Sequence, residues 1–210
     1  MGGIYWGLHI PIASTMIKDF DIKIAIETGT FFSGGAIHLA SLCERVITID
    51  NDPVLHGFNA HYYSHISRIE YQLGGSPAVL QQILPEIEQP VLFVLDAHWF
   101  SCSPRKSHIE GSQCPLIAEL HAIQKHAVAL HGSAIIIDDA DMFLGSLPAP
   151  MNNDDFPSIV QIIALLQKIF EDNEIDVLDD VIVSGPKGTK KMLDSYRLWT
   201  QKTGSPRLIH

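Results

Sequence analysis

The chain has 210 residues, 46% of them hydrophobic, and a formal net charge of −10. That length fits one domain with ample material for a core, and the acidic balance speaks against a nucleic-acid substrate, which needs a basic stripe for its phosphates. No apolar run approaches the ~20 residues that span a bilayer, so no membrane partner is expected. The N-terminus, MGGIYWGLHIPIAS, lacks the basic n-region of a secretory leader. Cys43, Cys102 and Cys114 make no disulfide framework, and a cytoplasmic location is expected.

In chain order, residues 1–20 read as an arm and a short helix, Pro11 to Phe20, with Tyr5 and Trp6 either over a ligand mouth or against a sheet edge. The main domain is expected over 21–200, with a tail at 201–210. Ile22 to Ile26 is an apolar run that reads as a buried strand. It stops at Glu27-Thr28-Gly29-Thr30; Gly34 and Gly35 follow, then a helix-like segment, Ala36 to Cys43, and a second strand, Val46 to Ile49, ending in Asp50. Strand, glycine loop, helix, strand and acid make the first half of a doubly wound nucleotide-binding fold. Gly29 and Gly34 let the backbone approach a ligand, the helix start offers free N–H groups, and an acid at Asp50 accepts ribose hydroxyls. The loop is Gly-x4-Gly-Gly, so the Gly-x-Gly-x-x-Gly dinucleotide fingerprint fails. Gly35-Ala36 stand where a P-loop needs Lys-Ser/Thr. A loop without lysine and flanked by acids suits a cationic or neutral ligand.

Pro53 opens a helix to about His65. Ile66 to Leu73 reads as the third strand, followed by Gly74-Gly75-Ser76 and a helix, Pro77 to Ile87. Val91 to Leu95 is a continuous apolar strand, as in the centre of a parallel sheet, and ends in Asp96-Ala97-His98-Trp99. A polar loop of about 15 residues follows, long enough to suggest a binding loop. Cys114-Pro115 then opens a helix with Leu116, Ile117, Leu120 and Ile123 as its apolar positions. Ala134 to Ile137, the fifth strand, ends in Asp138-Asp139-Ala140-Asp141. After an irregular stretch, Gly145 to Asp155, the helix Phe156 to Phe170 has apolar residues at three- and four-residue spacing. Asp176 to Val183 and Lys191 to Thr200 are expected as the last two strands, the second antiparallel, with SGPKGTKK as a solvated hairpin tip between them. The expected fold is α/β and doubly wound, with a seven-stranded, mostly parallel sheet and one antiparallel strand.

Strand ends in such a sheet converge on one rim, so Asp96, Asp138 and Asp139 are expected to meet there. Three carboxylates repel one another, and a hard divalent cation such as Mg²⁺ resolves the repulsion. His98, Cys102, His108 and Cys114 match the spacing of no compact zinc module.

The run E-T-G-T-x-x-S-G, with an acid after strand two, resembles motifs I and II of the class I S-adenosylmethionine-dependent methyltransferases. The resemblance implies that Glu27, Gly29, Thr30, Ser33 and Gly34 line the methionine end of that cofactor and that Asp50 binds its ribose. Phe31, Asn51, Gly75, Ser76 and Asp96 complete the implied cofactor set. Related enzymes carry an acid in the loop after strand three, near the adenine; here Gly75 holds that place.

Asp96 with Asp138-Asp139 is similar to the metal-dependent O-methyltransferases acting on catechols and on macrolide and aminocoumarin glycosides, which implies a metal on these three residues. His98 stands where the glycoside-acting branch has its base, and a neutral imidazole near its ordinary pKa of ~6.5 suits that task. The segments LDAHWF, CPLIAEL and IIIDDADMF also resemble a group of small bacterial methyltransferases with LDGHY/W…PL…EL…IDDA. The implied function is O-methylation of a small hydroxylated molecule such as a sugar or glycoside, by a monomer or a homodimer. The alternatives are a cofactor-binding module that has lost transfer activity, and a nucleotide-dependent oxidoreductase, against which the failed fingerprint argues.

Overall fold

A computed structural model describes residues 9–99 and 111–203. Tyr5 and Trp6, and Cys102 and His108 in the loop after the fourth strand, lie outside the described residues. Helix α1 (Ile10–Asp19) leads to β1 (Ile24–Thr28), α2 (Gly34–Ala40), β2 (Arg45–Asp50), α3 (Pro53–Tyr62), β3 (Ile69–Leu73) and α4 (Ser76–Ile83). Next come β4 (Val91–Leu95), α5 (Leu116–Gln124), β5 (Ala134–Ile137), α6 (Ile159–Ile169), β6 (Glu174–Leu178), β7 (Val181–Gly185) and α7 (Thr189–Thr203). The strands form one sheet in the order β3-β2-β1-β4-β5-β7-β6. β1 to β5 pair in parallel, and β7 runs antiparallel to both its neighbours. The expected doubly wound α/β sheet, seven-stranded with one antiparallel strand, is the fold observed.

Both faces of the sheet are covered, which is why its central strands are continuous apolar runs. On one face Ile24, Ile26, Ile47, Phe93 and Ile135 pack with Leu80, Leu120, Ile162 and Leu166 from α4, α5 and α6. On the other, Ala25, Val46, Leu92, Val94 and Ile136 pack with Met16, Leu39 and Leu193 from α1, α2 and α7. Each fully buried side chain of this size contributes about 1.5–3 kcal/mol. Local signals set the helix starts. Asp52 accepts hydrogen bonds from the backbone N–H groups of Val54 and Leu55, with Pro53 in the first turn of α3. A reciprocal capping box between Ser158 and Gln161 starts α6 at Ile159, after the expected Phe156. Among the described residues, no helix is long and apolar enough to cross a membrane.

The C-terminal third departs from the sequence reading. Asp176 to Val183 is not one strand but most of a hairpin, because the chain turns at Asp179-Asp180 with Asp179 at φ +54°. Lys191 to Thr200 is not a strand but the body of α7. Leu193 and Tyr196 lie on one face of that helix and pack against the α1–α2 side of the core. The SGPKGTKK segment is therefore no hairpin tip. It turns from β7 into α7, and the Glu174 carboxylate accepts the N–H groups of Gly188 and Lys190 at 3.1 and 2.8 Å, capping the helix.

Candidate active site

The strand order reverses at β1, with β2 and β3 on one side and β4 and β5 on the other. A crevice opens at such a switch point, beyond the carboxyl ends of the strands. Gly29 sits there at φ +89°, its N–H bonded to the Ile49 carbonyl at 2.9 Å. A side chain at this position would run into the Asp96 backbone carbonyl, so the loop after β1 and the end of β4 touch only because residue 29 is glycine. Phe31 and Ser33 also take left-handed backbone conformations, and Ser33 leads directly into α2.

Asp50 fastens this loop from the end of β2. Its carboxylate accepts the Phe31 N–H at 3.0 Å and the Asp52 N–H at 2.8 Å. Burial raises its pKa, and these N–H bonds oppose the rise. From α3, the Asn59 amide donates to the Phe31 carbonyl at 2.6 Å. Glu27 lies beneath the loop and is only 4% exposed. The Thr48 hydroxyl donates to it at 2.6 Å, and Thr30 and Thr48 share a hydrogen bond at 2.7 Å. Burial first, then the charges of Asp96 and Asp50, push the Glu27 carboxyl up to about 8 against the Thr48 bond. The loop after β3 is tied in as well: the Gly74 N–H donates to the Asp50 carbonyl at 2.9 Å, and Gly75 caps α4.

Beside the crevice, the ends of β4 and β5 carry the acids. His98 Nε2 lies 2.7 Å from Asp139 Oδ2 and 3.2 Å from Asp96 Oδ1, and its Nδ1 is 3.2 Å from the Trp99 carbonyl. Burial works against a charge on His98, yet the hydrogen bonds and charges of Asp139 and Asp96 prevail and raise its pKa well above 6.5. Asp139 has φ +52°, a left-handed backbone conformation. The buried Asp138 is raised by desolvation and by the charges of Asp96 and Asp139. It lines a small cavity with Asp96, His98, Cys114, Leu116 and Glu119. One donor atom from each of Asp96, His98 and Asp139 lies within 4.8 Å of the other two. Two carboxylates and an imidazole at that separation fit a divalent cation.

No protein-family model and no curated protein matches the chain. Solved structures do match. A Podospora anserina methyltransferase with S-adenosylhomocysteine bound aligns with a TM-score of 0.59 at 12% identity, over 89% of this chain and 80% of that one. An O-methyltransferase from Bacillus cereus in complex with S-adenosylhomocysteine aligns with a TM-score of 0.55 at 14% identity, over 88% of this chain and 82% of that one. The fold is that of the class I S-adenosylmethionine-dependent methyltransferases.

On this methyltransferase fold the expected site residues fall into two groups. Gly29, Thr30, Phe31, Ser33, Gly34, Asp50 and Asn51 gather around the glycine loop, with Glu27 below it and Gly75 and Ser76 one strand further out. Asp96, His98 and Asp139 form a second, close-set group, with Asp138 against the cavity behind it. The sequence reading missed Glu119. It is 1% exposed on α5 and accepts a hydrogen bond from the Ser76 hydroxyl. Its signal was position: it lies three residues after Leu116 and directly before Leu120, inside the apolar face of the helix.

Proposed function

We propose that the protein is an S-adenosylmethionine-dependent methyltransferase acting on a hydroxyl group of a small molecule, such as a sugar, a glycoside or another hydroxylated metabolite. One observation carries this reading: Gly29 abuts the Asp96 backbone at the switch point, so a loop fastened by Asp50 opens directly onto the acid and imidazole group. A small acceptor held at that group sits next to whatever the loop holds.

S-adenosylmethionine, when bound, supplies a methyl group already activated on a sulfonium, so the chain needs only to align the acceptor oxygen and accept its proton. The Asp50 carboxylate, held by the N–H groups of Phe31, Asp52 and Asn51, keeps acceptor capacity for a ribose hydroxyl. Gly29, Thr30, Phe31, Ser33 and Gly34 bring backbone close to the rest of the cofactor, with Asn51, Gly75 and Ser76 at its flank and Glu27 beneath. Asp96 and Asp139, joined by Asp138, would hold a divalent cation, Mg²⁺ or a similar ion, whose chemistry there would be to acidify a bound hydroxyl, with His98 beside them and not on the ion. His98 serves as the base once it has released its own proton. That release is favoured when the charges of Asp96 and Asp139 are met by something other than the imidazolium.

A second reading is a cofactor-binding module without transfer activity. The position of His98 favours it: bridging Asp96 and Asp139, a protonated imidazole would offset one of their two charges without a metal. The deciding experiment starts with calorimetric titration of S-adenosylhomocysteine into the wild type and Asp50→Ala. Micromolar binding that is lost in the variant is expected. Turnover of S-adenosylmethionine is then measured against a panel of polyols and glycosides, with Mg²⁺ and with a chelator. Binding without turnover would select the silent module, and no binding by folded wild type would sink both.

A further inference from the structure

The loop after β3 carries no acid of its own, yet its first helical residue is bonded to a buried carboxyl from a distant element. Glu119, on α5, accepts a buried hydrogen bond from the Ser76 hydroxyl. The Thr28 hydroxyl at the end of β1 also faces Glu119 and favours its charged form. Thr28 in turn accepts from the Asp96 N–H, through its carbonyl at 3.1 Å and its hydroxyl at 3.4 Å. Gly74, two residues before Ser76, donates to the Asp50 carbonyl. One side chain thus joins the end of β1, the start of α4 and, through Thr28, the start of the β4 loop, which are the segments that enclose the crevice. A carboxyl removed from water is costly unless it is hydrogen-bonded. The core around it would be filled more simply by leucine, as at the neighbouring position 120.

We propose that Glu119 is a positioning residue of the crevice: through Ser76 and Thr28 it fixes the Gly74–Ser76 loop and the end of β1 relative to Asp96, and thereby sets cofactor affinity without touching the cofactor. This rests on the methyltransferase reading above. Its chemistry requires an acceptor oxygen facing two hydroxyl donors, which glutamine retains and leucine abolishes.

The test is calorimetric titration of S-adenosylhomocysteine into the wild type, Glu119→Gln, Glu119→Leu, Ser76→Ala and the Glu119→Leu/Ser76→Ala pair. Glutamine is expected to stay within threefold of wild-type affinity and leucine to weaken it at least tenfold. Ser76→Ala should weaken binding severalfold in the wild type and by a smaller factor in the leucine background, where the bond is already lost. Leucine binding within twofold of wild type, or equal losses for glutamine and leucine, overturns the proposal. If the leucine variants do not fold, Glu119→Ala replaces leucine in the same cycle: full additivity overturns the proposal and coupling supports it. Wild type that fails to bind overturns the methyltransferase reading and this inference with it, whereas wild-type binding with an indifferent Glu119 overturns the inference alone.

Discussion

Glu27→Gln should make the protein more stable, and more so as pH rises. The Glu27 carboxyl ordinarily ionises near 4.5, and burial holds it protonated up to about 8. Between those values the folded state binds a proton that the unfolded chain has released, so stability falls as pH increases. Each pH unit in that window costs about 1.4 kcal/mol. At pH 7 the burden is therefore about 3 kcal/mol, and at pH 5 it shrinks to about 1 kcal/mol or less. Glutamine keeps an oxygen to accept the Thr48 hydroxyl and has no proton to lose. Urea unfolding of both proteins at pH 5, 6, 7 and 8 measures the difference. The expected result is a gain for glutamine that grows with pH across the series. A gain independent of pH, or a loss at pH 7, would refute the reasoning that burial governs this carboxyl.

Gly29→Ala should destabilise the protein by roughly 1–3 kcal/mol from its left-handed backbone alone, with more from the clash at Asp96, read by thermal unfolding. It should also abolish S-adenosylhomocysteine binding, so a variant of wild-type stability and affinity would refute the close approach. Asp139→Asn removes one of the two charges that keep His98 protonated, so its imidazole should titrate at lower pH, measured by NMR of the ring protons. An unchanged titration would mean that Asp96 alone holds the proton. Burial pushes the Cys43 and Cys114 thiols up to about 11 and about 12. Both should resist a disulfide-exchange reagent at pH 8 in the folded protein and react on unfolding, whereas fast reaction of either in the native state would contradict its burial. Ser158→Ala should cost about 1 kcal/mol through loss of the α6 capping box, read as a lower urea midpoint.

The first five strands were legible because their signals are local. Apolar runs such as Val91–Leu95 stop at glycines and acids, and the acids at strand ends share a rim whatever the packing details. Pairing within the rim was not legible. Asp138 and Asp139 are adjacent in the chain, and their order alone does not say that Asp139 meets His98 while Asp138 lines the cavity behind. The same limit applies to His98: its place in the chain does not show that it lies between the Asp96 and Asp139 carboxylates, which raise its pKa. Glu119 passed as a polar gap in an apolar helix because its partners, Ser76 and Thr28, lie 43 and 91 residues away in the chain. The last third failed for a different reason. Asp179-Asp180 interrupts what reads as one strand, and α7 is so polar overall, with Leu193 as its buried anchor, that it offers little apolar pattern to read.

The meeting of α1 with α7 has a consequence for how the chain acquires its shape. The His9 ring lies edge-on to Tyr196 at 5.4 Å and bonds Asp179 across 170 residues of sequence. A contact closed over so long a loop carries a large entropic cost before it gives any return, and contacts of that kind slow folding. As the chain is synthesised, α1 can settle on the β1–β5 half of the sheet first, and its contact with Leu193 waits for α7, so the edge where the two helices meet is the last part of that face to close.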